Sequence, residues 1–190
     1  DCRGPNARLA RALATRGDIL DRSGLVLAVG KDMRTVYATP RQLKDPAAAA
    51  RRLARVLKIR RKPLEKQLRD RQSWYACVAR KIEPSLASQA VALGIEGVGS
   101  VSEEKRVYPQ HRLAAQLLGY AGMDNNGIAG LEAQYERQLA GKPGSQVVTC
   151  DPTGKCIKTM SASEPVAGKD VRLTIDRDIQ FTAERVLADT

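Results

Sequence analysis

Arg16-Gly-Asp-Ile-Leu-Asp-Arg-Ser-Gly24 is the stretch on which the reading of this chain turns. Ile19 and Leu20 suit an extended segment, and Ser23-Gly24 supplies a tight turn, so residues 17–29 are expected to run out and fold back at 23–24. Gly17 has no Cβ and lets another backbone approach closely; beside it, Arg16 offers a long cation. Asp21 and Arg22, adjacent on a strand, point to opposite faces, and each needs a partner elsewhere. Two later stretches mix glycine with charged and aromatic residues in the same way: Arg106-Val-Tyr-Pro109 running on to Leu118-Gly-Tyr120, and Gly130-Leu-Glu-Ala-Gln-Tyr-Glu136. Glu132 and Glu136 lie one helical turn apart. Either Arg16 or Arg22 is expected to pair with Glu132, so that three separated segments meet at one packed junction. The bland alternative is an exposed pair worth under about 1 kcal/mol.

Working outward, Thr35–Ala38 reads as a second strand. Asp45-Pro46 opens a helix with Ala49, Leu53, Val56 and Leu57 on one face and Arg51, Arg52 and Arg55 opposite. Pro63 starts a second helix, Trp74–Ile82 is a mostly apolar strand, and Pro84 opens a third helix stopped by Gly94. Residues 98–107 look extended, 111–118 form a short helix ended by Gly119, and 122–130 form a loop. Leu131, Tyr135 and Leu139 line one helix ended by Gly141. Residues 146–150 and 156–159 make a hairpin, 161–170 a polar connector and 171–175 a strand. Asp176 caps a last helix bearing Ile179, Ala183, Val186 and Leu187, whose apolar face implies that more protein follows. The class expected is α+β: a discontinuous strand-rich base, about 16–38 and 98–175, with a small α/β lobe, about 40–96, inserted.

Aromatic content of 4% means that the core is built from Ala, Leu, Val and Ile. With 32 basic against 21 acidic residues, the net charge of +11 favours anionic neighbours: nucleic acid, an anionic leaflet or an acidic wall polymer. The bland reading is a solvated face. The longest uncharged stretch, near Pro84–Ile95, is too short to span a bilayer. Asp1 is not a natural start, so the chain reads as a processed or engineered piece from which a membrane anchor could have been cut away, and 1–15 would then be a linker. Cys2, Cys77, Cys150 and Cys156 lack zinc spacing. Cys150 and Cys156 flank a Pro–Gly turn that suits either a disulfide or two free thiols, while Cys77 reads as a small core residue.

The pattern R-G-x-I-x-D-R-x-G, then R-x-Y-P with A-A-x-x-L-G-Y, then G-x-x-G-L-E-x-x-Y-E with L-x-G-x-x-G ending at Gly144, resembles class B penicillin-binding proteins from Arg16 onward. Within them it looks most like the cell-division member, with the elongation member as the second reading. The resemblance implies a periplasmic pedestal, or dimerisation domain, over 16–175, set on the outer face of the inner membrane by a removed N-terminal helix. It implies that 176–190 begin a truncated transpeptidase domain. Implied partners are that domain, a polytopic glycosyltransferase, divisome membrane proteins and a second copy, with no cofactor. The structural residues carried over are Arg16, Gly17, Asp21, Arg22, Gly24, Arg106, Tyr108, Pro109, Gly119, Tyr120, Gly130, Glu132, Tyr135, Glu136, Gly141 and Gly144. One departure is His111, where the family usually places glycine; either no glycine conformation is needed there or the turn is shifted.

Ser102-Glu-Glu-Lys105 matches the family's S-x-x-K nucleophile motif, but it reads as extended and has no S-x-N or K-T-G to join it. No catalytic residue is therefore expected in this chain. Arg16-Gly-Asp18 continues into a core strand rather than an adhesion loop. Asp124-Asn-Asn-Gly127 lacks the calcium-loop spacing. The functional expectation is a structural and docking module with Arg51, Arg52 and Arg55 among its contact residues. A nucleic-acid-binding domain is the competing reading, supported by charge alone and lacking aromatic platforms or a recognition motif.

Overall fold

The computed structural model describes the backbone of residues 7–150 and 156–188, and the side chains of 13–145 and 163–188. The architecture is α+β, in two compact units: of the described residues, one takes 7–31, 104–150 and 156–188, the other 32–103.

Strand β1 (Ala7–Ala12) lies within the stretch read as linker. β2 (Ile19–Leu20) is followed by a turn in which the Gly24 amide donates to the Asp21 carbonyl at 3.1 Å. β3 (Val26–Ala38) is one strand of 13 residues, where the sequence suggested two separate extended pieces. The polar run Lys31-Asp32 hid its continuity, because two exposed charges in a strand look like a loop.

Helix α1 (Pro46–Leu57) starts where expected: the Asp45 carboxylate accepts from the amides of Ala47 and Ala48 at 2.9 and 3.0 Å, with Pro46 at the first position. Lys58, left-handed at φ 54°, ends it. α2 (Arg61–Leu68) begins two residues before Pro63. Leu53, Leu57, Leu64 and Leu68 are buried, and each contributes roughly 1.5–3 kcal/mol by leaving water. β4 (Ala76–Ile82) runs antiparallel to residues 34–38 of β3. Trp74, assigned to that strand from sequence, precedes it and lies under the Arg41 guanidinium, 4.3 Å from the ring centre. α3 (Pro84–Val91) and β5 (Val98–Val107) follow, β5 pairing with β3. Val36, Ala38, the α1–α2 leucines, Ala76, Ala87 and Ala90 form the core of this unit.

Helix α4 is only Ala115–Leu118, shorter than the 111–118 expected. His111 at φ 54° and Ala114 at φ 51° are both left-handed, so no helix forms before Ala115. The stretch read as a loop, 122–130, holds the turn and second strand of a small hairpin, β6 (Tyr120–Ala121) with β7 (Gly127–Ala129). The single helix expected after it is two, α5 (Gly130–Gln134) and α6 (Glu136–Leu139), broken at Tyr135 (φ −100°, ψ 19°). β8 (Gly144–Cys150) pairs with both β1 and β9 (Cys156–Ser163). Cys150 and Cys156 are register partners; their sulfurs, and so the question of a disulfide, lie outside the described residues, as does Cys2. Cys77 is a half-buried free thiol.

β10 is Val171–Arg172, parallel to β2, shorter than the 171–175 expected. Its hydrogen bonding runs further: Leu173 donates to Leu20, and Arg22 to Ile175. Asp176 then caps α7 (Arg177–Ala188), accepting from the amides of Asp178 and Ile179. Ile19, Leu27, Ala28, Leu113, Leu118, Leu139 and Val171 form the core of the first unit. No helix among the described residues is long and apolar enough to cross a membrane.

Candidate functional site

The three motifs meet inside the first unit at Glu132, a fully buried carboxylate. Arg16 donates from Nε to Glu132 Oε2 at 2.8 Å, from Nη2 to the Glu132 carbonyl at 3.0 Å, and from Nη1 to the Asn125 carbonyl at 2.8 Å. Its Nη1 also lies 2.7 Å from Glu136 Oε2. Arg106 takes the other oxygen, Nε to Glu132 Oε1 at 2.7 Å, and its Nη1 donates to the Gly17 carbonyl at 2.8 Å. Tyr108 donates its hydroxyl to Glu132 Oε1 at 3.3 Å and accepts from the Ala121 amide at 2.9 Å. Each carboxylate oxygen therefore has its own guanidinium, the arrangement that makes burial of charge tolerable.

Of the two arginines proposed for Glu132, Arg16 holds it; Arg22 is exposed. Arg106 as second partner was not foreseen, although the signal was present. Glu104 and Arg106 alternate along β5, with Tyr108 next in the row just past its end, and alternate strand residues share a face. Glu104 completes that row, accepting the Arg16 backbone amide at 3.0 Å. The break at Tyr135 leaves Glu132 and Glu136 both on Arg16, and Glu136 Oε2 also accepts from the Gly127 amide at 2.8 Å.

The glycines let the segments approach. Gly119 (φ 70°) and Gly130 (φ 61°) face each other across the β6–β7 hairpin. A Cβ on Gly119 would fall 1.9 Å from the Ala129 carbonyl oxygen, and one on Gly130 2.5 Å from that of Leu117. Gly141 follows α6, and Gly144 opens β8 opposite Ala12. Tyr135 is half-buried against the first unit's core; Tyr120 and Pro109 are exposed. His111 occupies the left-handed position directly, donating its amide to the Tyr108 carbonyl at 3.0 Å, so the glycine conformation is kept without the glycine.

Asp21 forms a second knot. Its Oδ1 accepts from the Ser23 hydroxyl at 2.6 Å and from the amides of Ser23 and Leu25 at 2.8 Å each, while Oδ2 faces the Arg177 amide at 3.4 Å. The Ser23 hydroxyl, followed by those amides, holds the Asp21 carboxyl down to about 2. Burial, and then the Glu132 charge, raise the Tyr108 phenol, which keeps it a donor. Glu184 on α7 accepts from the Gln180 side chain at 2.7 Å and from the Ala114 amide at 2.8 Å, steadying the strained loop 111–114.

This arrangement fixes charges: each oxygen of the Glu132 carboxylate is taken by a guanidinium, and the hydroxyl beside it, that of Tyr108, is itself held by hydrogen bonds. Ser102 and Lys105 are both exposed on β5, where residues three apart face opposite ways, and Ser102 Oγ donates to Asp32 Oδ1 at 2.5 Å. Among the described residues no group of His, Cys, Asp or Glu is placed to hold a metal ion.

Fold and junction together define a scaffold domain locked by buried charge. The family model for the Penicillin-binding Protein dimerisation domain matches residues 11–173, and the chain belongs to that family. Stage V sporulation protein D of Bacillus subtilis is 35% identical over 176 residues, covering 90% of this chain and 27% of that protein. The probable peptidoglycan D,D-transpeptidase PenA of Neisseria meningitidis is 32% identical over 175 residues, covering 90% and 30%. A solved complex between a penicillin-binding protein (PBP2) and MreC from Helicobacter pylori shares the fold at a TM-score of 0.72 and 19% identity, covering 96% of this chain and 38% of that one. The chain thus spans under a third of the length of these two curated relatives.

Proposed function

We propose that this chain is the non-catalytic extracytoplasmic pedestal of a septal peptidoglycan transpeptidase, positioning a penicillin-binding domain that follows it and docking cell-wall synthesis and division proteins. The observation that carries this is the buried Arg16–Glu132–Arg106 junction, which spends three motifs on rigidity and none on chemistry. The relatives support the rest: two are named for sporulation and for D,D-transpeptidation, and this chain matches only part of each. On this reading residues 176–190 lead into the catalytic domain, and a membrane helix before residue 1 holds the protein at the outer face of the inner membrane. Its neighbours are a polytopic glycosyltransferase and, in a dimer, a second copy.

The test is in two parts. Fluorescent penicillin is expected to label the full-length protein and leave the 190-residue chain unlabelled; labelling of the chain alone would sink the pedestal reading. Depletion of the full-length protein in its own bacterium is expected to give filaments. Rounded, widened cells would replace the septal role with an elongation role.

A further inference from the structure

The charge of this chain is not spread over it. Between residues 51 and 71 lie ten Lys and Arg against two acids, Glu65 and Asp70, so most of the net +11 sits in one helical hairpin. All ten cations are exposed. Arg51, Arg55 and Lys58 recur at i, i+4 and i+7 along α1 and its cap. Lys62, Lys66 and Arg69 repeat the spacing on α2, giving each helix one cationic stripe opposite its buried leucines. Glu65 already serves Arg61 and Arg69. Among the described residues Arg51, Arg55, Lys58, Arg60, Lys62 and Lys66 have no ion-pair partner.

We propose that the α1–α2 hairpin is an electrostatic docking surface for an anionic phospholipid bilayer. This rests on the extracytoplasmic reading above, which supplies the bilayer. Three features favour a headgroup layer. The face is rich in arginine, whose planar fork matches phosphate oxygens. It presents no large exposed hydrophobic residue, which a protein hot spot would need. It carries no aromatic platform, which single-stranded nucleic acid would need. Many cations acting together on a polyanionic plane require neither a hydrophobic hot spot nor an aromatic platform, and each adds about fivefold to partitioning. The attraction fades with salt beyond a screening length.

The test uses the 190-residue chain with vesicles of phosphatidylcholine, with and without phosphatidylglycerol, and with soluble polyphosphate. Anionic vesicles should bind at least about tenfold more tightly than neutral ones. Replacing Arg51, Arg55, Lys58, Lys62 and Lys66 by Gln should weaken that binding at least about a hundredfold. A control with equal charge loss replaces the exposed Arg112, Arg137, Lys142, Lys169 and Arg185 by Gln, and should lose less than about tenfold. Equal loss in both variants, equal binding to neutral vesicles, or binding to polyphosphate without binding to anionic vesicles would each overturn the proposal. None of these outcomes bears on penicillin labelling or cell shape, so the pedestal reading stands or falls separately.

Discussion

Arg16 and Glu132 are 116 residues apart in the chain, and their guanidinium and carboxylate are 2.7 Å apart in space, both shielded from water. The pair therefore ties the early and late segments of the first unit at a point where water cannot replace either partner.

Removing Glu132 should be severe. Glu132→Ala leaves two buried guanidiniums without their carboxylate, and breaking a buried pair costs about 3–5 kcal/mol. Urea unfolding of the chain measures this directly. Arg22→Ala, on the exposed partner that the structure does not use, should cost under about 0.5 kcal/mol.

Gly119→Ala should destabilise by at least about 2 kcal/mol, since the added methyl group meets the Ala129 carbonyl and the backbone is left-handed. Gly94→Ala is the control: it is also left-handed (φ 65°), but a Cβ there meets nothing within 4 Å, so only the conformational cost of about 1 kcal/mol applies. Thermal or urea unfolding should separate the two.

Acid should act on the first unit through Asp21. Its folded value of about 2 lies below the unfolded value near 3.9, so its stabilising contribution is complete above that value and is lost as pH falls through about 2. Asp21→Asn should flatten the stability curve across that window while leaving its shape above pH 5 unchanged. An acid titration followed by circular dichroism reads both.

His111→Gly should stabilise the chain by about 0.5 kcal/mol, because relief of the left-handed strain exceeds the added freedom of the unfolded glycine. His111→Val should destabilise by more than about 1 kcal/mol, since a β-branched residue tolerates that conformation poorly. The His111 side chain is exposed, which keeps packing out of the comparison.

Legibility in the sequence followed the range of the forces involved. Helix α1 was legible because its cap, its proline and its apolar stripe are all local to residues 45–57. The turn at Ser23-Gly24 was legible for the same reason. The long β3, the short α4 and the break at Tyr135 were not: Lys31-Asp32 looks like a loop, and nothing in the letters His111, Ala114 or Tyr135 announces their backbone angles. β1 is not legible because its strand partner among the described residues, β8, is more than a hundred residues away. At the junction the residue types were legible and their pairing was half so. Arg16 and Glu132 were matched by charge, whereas Arg106 needed the two-residue period of β5 to be taken seriously.

The pairing of Ile19 with Val171 has a consequence for how such a chain emerges from the ribosome. The buried core of the inserted unit lies between residues 36 and 90, so its side chains can collapse together while synthesis is still under way. Arg16 must wait through the production of 116 further residues for Glu132, and Ile19 longer still for Val171. For that interval the segment around residues 16–19 lacks these partners, and a holding chaperone should find its client there.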